Sequence, residues 1–257
     1  MATAKDIIVE PIRAKAACAL VKRIHYSGKV DPRSQLHLGI YLDGRLEGAM
    51  QFGPSIQKSH IRPLVDGTEW NGFIELNRMA FSEKLPRNSE SRAIAVAMRL
   101  IRKHYPGIEW VVSFADGTQC GDGAIYRASG FFLTGIKKNS TMWRMPSGEV
   151  VADIVTRMKS TVVKKRIGYK TGEPWSKFTE RVGAKKLPGY QLRYIYFINP
   201  EARNRLTVPI LPFSKIEEMG AGMYKGEKVS RDKQAMADTL GTAAGQHRPS
   251  RSNSEAA

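Results

Sequence analysis

The order of periodic segments along the chain predicts an α/β (α+β) fold, one mixed sheet flanked by helices. Three observations carry that expectation. Apolar residues make up 42% of the 257-residue sequence, enough to fill a core. Period-two and helical apolar patterns alternate from residue 5 to about residue 145. Asp43-Gly44 sits between two alternating runs, where a hairpin turn needs residues that tolerate positive φ.

The elements follow in order. Residues 5–12 read as a strand ended by Pro11, which has no N–H for a ladder. Residues 13–26 read as a helix with Ala17, Leu20, Val21 and Ile24 at three- and four-residue spacing, stopped by Ser27-Gly28. Leu36–Leu42 and Leu46–Phe52 are the hairpin arms, and Phe73–Phe81 is another strand. Simple alternation along that strand puts Glu75 and Asn77 on one face, Leu76 and Arg78 on the other. Pro86 breaks the chain, and Ser89–His104 reads as a helix carrying Ile94, Ala97, Met98 and Ile101 on one face. Residues 109–115 form a buried strand, and a Gly-rich turn, Asp116–Gly123, leads to a short helix, Ala124–Ser129. Residues 131–137 and 141–145 are further strands, and Gln191–Ile198 is a last strand that completes the sheet. The expected organisation is a domain over 1–200 with a less regular basic segment at 146–187, an irregular extension at 201–218, and a disordered tail from Met219.

Charge narrows the partner. There are 41 Lys and Arg against 24 Asp and Glu, a net +17. A phosphate backbone is the obvious polyanion for such a surface. Lys29, the pair Lys137-Lys138 and the run Lys164-Lys165-Arg166 are the candidate phosphate contacts; each taken alone reads more simply as a solvated face. There is no apolar run long enough to span a membrane and no apolar signal core near Met1, so a cytoplasmic protein is expected. Two cysteines, Cys18 and Cys120, give no disulfide framework.

No Walker loop, nucleophile elbow or zinc pair is present. Three clusters remain. His25-Tyr26-Ser27-Gly28-Lys29 offers a titratable nitrogen and a phenol at a helix end; a capping histidine with a packed tyrosine is the plainer reading. Asp116–Gly123 lies where a strand gives way to a helix, the edge at which α/β sheets gather ligands; a capped tight turn is its plainer reading. Arg78, on a largely apolar strand, needs a carboxylate or a phosphate partner. The loop after it reaches a helix start at Asn88 or Ser89, with Ser91 close by, where backbone N–H groups can cap or hold phosphate. Tyr126, on the short helix, either enters the same cleft or packs in the core.

These clusters sit in strings that resemble the Mom proteins of Mu-like phages: His25–Lys29, Met50–Ser55, Phe73–Phe81, Leu85–Ser91, Ser113–Asp116, Gln119–Gly123 and Ile125–Phe131, in that order. The resemblance implies a fold similar to the GNAT acyltransferases, with a mixed, mostly antiparallel central sheet. It implies an enzyme that adds a carbamoylmethyl (acetamido) group to adenine N6 in double-stranded DNA, protecting phage DNA from host restriction. It implies His25, Tyr26, Arg78, Asp116 and Tyr126 as catalytic residues, and iron on His25, Tyr26 and Asp116. It also implies acetyl-CoA or another acyl/glycyl-type donor, held by Arg78, Arg87, Asn88, Ser89, Ser91 and Tyr126. One departure stands out: the loop Pro86–Ser91 lacks the glycines with which GNAT proteins cradle a pyrophosphate. Adenine must leave the base stack to be reached, and Tyr26, Trp70, Phe81 or Trp143 is available to stack on it. The rival expectations are a GNAT-type N-acetyltransferase acting on a protein or small amine, and a non-enzymatic basic DNA-binding protein.

Overall fold

The computed structural model describes residues 2–157, 161–224 and 227–228. Strand β1 (Ile8–Pro11) is followed by α1 (Ala14–Ile24) and a hairpin of β2 (Leu36–Leu42) and β3 (Arg45–Gly53). A short helix α2 (Lys58–Ile61) precedes β4 (Phe73–Phe81), α3 (Ser89–His104), β5 (Trp110–Asp116) and α4 (Ala124–Ala128). Then come β6 (Phe132–Lys138), β7 (Met142–Arg144), β8 (Val150–Ala152), α5 (Thr161–Ile167), α6 (Trp175–Val182), β9 (Lys185–Lys186) and β10 (Tyr190–Phe197). A 3-10 turn at Pro200–Arg205 and α7 (Ser214–Glu218) complete the elements used below.

Seven strands form the main sheet in the order β1-β2-β3-β4-β5-β10-β6. Every neighbouring pair is antiparallel except β4 and β5, which run parallel. The parallel ladder is short. It joins Phe73, Ile74 and Glu75 to Trp110, Val111 and Val112 and then stops, so the two strands part. Beyond that point β4 pairs only with β3, and β5 only with β10.

Helices cover both faces. On one, α3 buries Ile94, Ala97, Met98 and Ile101 against Met50, Phe52, Leu76 and Val111. Each of the larger side chains contributes about 1.5–3 kcal/mol by leaving water. On the other, α1 packs Ala17, Leu20 and Val21 on Ala49 and Ala80, beside a patch built on Phe73, Trp110 and Val112. Ala202 of the Pro200–Arg205 turn joins that patch, and Ile216 and Ala221 join the α3-side core. The extension expected at 201–218 therefore packs on the sheet. The described chain continues to Tyr224, past Met219, with Met223 buried; residues 229–257, most of the expected tail, lie outside the described residues.

One irregularity in β4 has large effects. Gln51 of β3 faces Arg78, but the next residue, Phe52, faces Leu76, so Asn77 is an extra residue in the ladder. A bulge of this kind inverts the alternation beyond it. Ile74 and Leu76 face the α3 side before the bulge, and Met79 and Phe81 face it afterwards. Ala80 lies under α1, so Arg78, two residues back, shares Glu75's face. The simple alternation drawn from the sequence is overturned here: Arg78 turns toward α1, away from the face of Leu76.

The segment expected to be irregular is a second, small unit. Strands β8-β7-β9 form a three-stranded sheet with α5 and α6 over Trp143, Met145, Val151, Tyr169, Trp175 and Phe178. Its neck, Gly189, has φ +124, and a Cβ there would stand 2.4 Å from the carbonyl oxygen of Gly117. Both the conformation and the clearance demand glycine. Gly189→Ala should lower unfolding free energy by more than about 2 kcal/mol. Denaturant titration checks this, and a loss under half that size would mean the neck tolerates a side chain.

Candidate active site

The site lies where β4 and β5 part. Ser113 on β5 bridges the gap by donating its hydroxyl to the Leu76 carbonyl at 3.2 Å. Asp116 ends β5, and His25 caps the C-terminus of α1, with its own N–H bonded to the Val21 carbonyl. Tyr26 reaches across from α1, its hydroxyl donating to Asp116 Oδ2 at 3.2 Å. Half of Tyr26 is exposed (51%) while its hydroxyl is held inward, and burial together with the Asp116 charge raises the phenol's pKa. It stays protonated at neutral pH.

Asp116 is the hub. Its Oδ1 accepts from the Thr118 N–H at 3.0 Å and from the Thr118 hydroxyl, and its Oδ2 also accepts from Gln119 Nε2 at 2.8 Å. Its carbonyl accepts from the N–H groups of Gln119, Cys120 and Gly121. The Gly-rich turn is thus wrapped around one carboxylate. Cys120 stands in the same turn, but burial and Asp116 push its thiol pKa up, which disfavours the thiolate.

Arg78 donates from Nε to the Lys29 carbonyl at 3.0 Å and from Nη1 to its neighbour Asn77 at 2.6 Å. Among the described residues Nη2 has no hydrogen-bond partner, so the guanidinium ties down the loop after α1 and keeps one donor for an anion. His25 sits close enough for Arg78 to act on it. Burial first, then the Arg78 charge, lowers the imidazole pKa to about 4, with Asp116 opposing. Ser27 aims both its N–H (3.2 Å) and its hydroxyl (2.8 Å) at Nδ1. That network assigns the ring proton to Nε2, and a neutral ring offers Nε2–H as a donor.

Tyr126 approaches from the other face, with the α3-side core. It is buried against Phe131 and Tyr194, and Tyr194 anchors its own hydroxyl on the Asp122 carbonyl at 2.6 Å. Gly123, at φ +87, opens α4; a Cβ there would meet the Tyr194 ring at 2.5 Å. Burial raises the Tyr126 pKa, Ser113 hydrogen-bonds its hydroxyl, and Glu75, Arg78 and Cys120 all lie within electrostatic reach. The parting of the strands therefore gives a two-sided slot, with Tyr126 on one side and His25, Tyr26, Arg78 and Asp116 on the other.

The family model for the Mom protein family matches residues 6–215. Methylcarbamoylase mom of Escherichia phage Mu is 37% identical over 207 residues, covering 80% of this chain and 81% of the relative. The chain belongs to the Mom family. Among solved structures, a Bacillus subtilis acetyltransferase in complex with CoA is 10% identical at a TM-score of 0.39, over 74% of this chain and 97% of that one. The Escherichia coli ribosomal-protein-S18-alanine N-acetyltransferase is 11% identical at 0.41, over 75% and 94%.

The remaining expectations for this Mom-family chain distribute unevenly. Arg87 and Asn88 are exposed before α3. Asn88 stands at the cap position with φ +69, yet its side chain caps nothing; its carbonyl accepts from the Ser91 hydroxyl at 3.1 Å. Ser89 is fully buried, and its hydroxyl has no partner among the described residues. Lys29, Lys137, Lys138 and Lys165 are exposed, whereas Lys164 is buried with its amine over Tyr169, and Arg166 is paired with Glu149. Of the candidate stacking rings, Tyr26 alone lies at the slot; Phe81 packs in the α3-side core, Trp143 in the small unit, and Trp70 under Lys58.

Iron is a separate matter. His25, Tyr26 and Asp116 do come together, but as arranged they do not fit a metal. A metal ligand needs a free lone pair. His25 Nδ1 already accepts from Ser27, Nε2 carries the proton, and both Asp116 oxygens are occupied. Among the described residues no group of three or more His, Cys, Asp or Glu converges to hold a metal ion.

Glu75 is the residue that spacing did not single out. Burial raises its carboxyl pKa, while Ser55, Asn77 and the Arg33 charge favour its ionised form. A carboxyl poised in that way, at the point where the ladder ends, suits proton transfer.

The His25 pKa makes a stability prediction. Between pH 6.5 and about 4 the unfolded chain binds a proton that folded His25 refuses, so stability falls as pH drops through that window; above pH 6.5 the contribution is fully present. His25→Gln should flatten the slope of unfolding free energy against pH across that window. Equal slopes in both proteins would contradict a buried neutral imidazole.

Proposed function

We propose that the chain is a DNA-modifying enzyme, a transferase that converts adenine in double-stranded DNA to its N6-carbamoylmethyl form in the host cytoplasm. We infer further that the modification protects phage DNA from host restriction. The observation that carries the reading is the slot itself. Side chains from α1, β4, β5 and α4 meet where two parallel strands part, in a Mom-family chain with a net charge of +17. Among the described residues no helix is long and apolar enough to cross a membrane.

Adenine N6 is a weak nucleophile because its lone pair is delocalised into the ring. The base has to be extruded and held. The exposed ring of Tyr26 is available to stack on it, and Asp116 fixes that ring's direction. Glu75, ionised, takes the proton that N6 loses as N6 displaces the leaving group from the methylene carbon of a carbamoylmethyl donor. The N–CH2 bond forms, the bond from CH2 to the leaving group breaks, and the leaving group departs with that electron pair. His25 Nε2–H and the free amine of Arg78 hold the carbonyl or leaving group of the donor, where charge develops. Tyr126 faces the donor from the far side of the slot.

The donor is of the glycyl type, a two-carbon amide unit activated at its methylene carbon. Plain acetyl transfer from acetyl-CoA would leave an N6-acetyl base, so an acetyl-CoA-type carrier would need a further step before transfer. Its phosphates would meet the N-terminus of α3, where the Ser89 and Arg92 N–H groups are bonded to the Pro86 and Asn88 carbonyls and those of Glu90 and Ser91 are left for an anion. The missing glycines matter less than spacing alone implies, because Asn88 itself adopts the left-handed conformation.

Nucleosides from plasmid DNA of cells expressing the chain should contain a deoxyadenosine heavier by one carbamoylmethyl group, absent with Asp116→Ala. Unmodified DNA from soluble, well-expressed protein would sink the reading. Glu75→Gln should cut the modified fraction by about a hundredfold or more while leaving duplex affinity within about twofold. Unchanged modification would remove Glu75 as the base.

A further inference from the structure

Among the described residues the unit formed by residues 139–187 contributes no side chain to the slot, yet it is fastened beside it. Asn139 is buried at its root, donating to the Met142 and Leu187 carbonyls and accepting from the N–H groups of Thr141 and Met142. Its exit at Gly189 rests on Gly117 and Thr118 of the Asp116 turn. Its β8 edge receives Lys29, whose amine donates to the Val150 carbonyl at 3.4 Å, four residues after His25.

Its charge is one-sided. Residues 139–187 contain eleven Lys and Arg against four Asp and Glu. Two of those carboxylates are consumed internally, Glu149 by Arg166 and Glu173 by Arg181. On the small sheet, Arg144 of β7 lies directly opposite Lys185 of β9 and, on its other side, opposite Val150. Residues directly opposite in a ladder share a face, and like charges so placed repel. Both are exposed, and neither has a carboxylate partner among the described residues. An arrangement that costs the isolated protein stability is relieved by a polyanion. Lys29, Arg144 and Lys185 thus make a row across three strands, about 10 Å wide at ordinary strand spacing.

We propose that this inserted unit is a clamp for the backbone of double-stranded DNA, with Lys29, Arg144 and Lys185 as its contact row. The proposal rests on the reading of the slot as a DNA-modifying site. The clamp grips phosphates independently of sequence and holds the duplex while one adenine turns toward Tyr26.

Anisotropy of a short fluorescent duplex, titrated with the full chain across a salt series, tests it. R144E/K185E should bind at least about tenfold more weakly, and the neutral R144Q/K185Q should make the slope of log affinity against log salt shallower by about two. R99E/K103E, on the exposed side of α3, should stay within about twofold of the wild type. R99E/K103E and R144E/K185E should melt with the wild type, and R144Q/K185Q, freed of the like-charge contact, at or slightly above it. Wild-type binding that R144E/K185E and R144Q/K185Q leave unchanged overturns the clamp alone. A wild-type chain that binds no duplex overturns the slot's assignment along with it.

Discussion

The extra residue at Asn77 governs the site. With regular alternation Arg78 would lie among the apolar side chains of the α3-side core. The bulge turns it to the α1 face, where its guanidinium holds the Lys29 carbonyl and lowers the pKa of His25. The same stretch of β4 has lost its partner on β5, so the turned side chains border a gap instead of a closed ladder. Bulges recur beside active sites because they re-aim a side chain without changing the sheet around it.

Burial then sets the chemistry. His25, Tyr26 and Tyr126 are all driven toward their neutral forms, and burial raises the Glu75 carboxyl pKa, which makes its ionised form a stronger base. Neutral donors direct hydrogen bonds without drawing counterions. The permanent charges sit in two places, on Arg78 and Asp116 within the site and on the outer basic surface. A slot that handles an uncharged base and a surface that handles phosphates are thereby kept apart.

Much of the fold was legible. The 3.6 periodicity of Ala17, Leu20, Val21 and Ile24, and of Ile94, Ala97, Met98 and Ile101, matches the buried faces of α1 and α3, and Asp43-Gly44 makes its turn with both residues at positive φ. His25, Tyr26, Arg78 and Asp116 were legible as clusters in separate strings; their meeting is a product of topology, since 90 residues separate Tyr26 from the Asp116 oxygen it bonds. The bulge was not legible, because no residue type at 75–78 announces an inserted position. Of the small unit only the strand at 141–145, which is β7, was legible; β8 and β9 have three and two residues, too few to display a period. Lys164 shows the limit of reading charge runs, since a cation drawn as a phosphate contact is buried against a tyrosine.

The central claim is that groups from the two parted strands, Arg78 on β4 and Asp116 on β5, act as one unit. A double-mutant cycle on the modified fraction of deoxyadenosine tests it, using Arg78→Lys, Asp116→Asn and their combination in soluble protein. The double variant should lose little more than the worse single one, because each substitution already disables the shared arrangement. Losses that multiply would mean the two residues work independently, and would contradict the account.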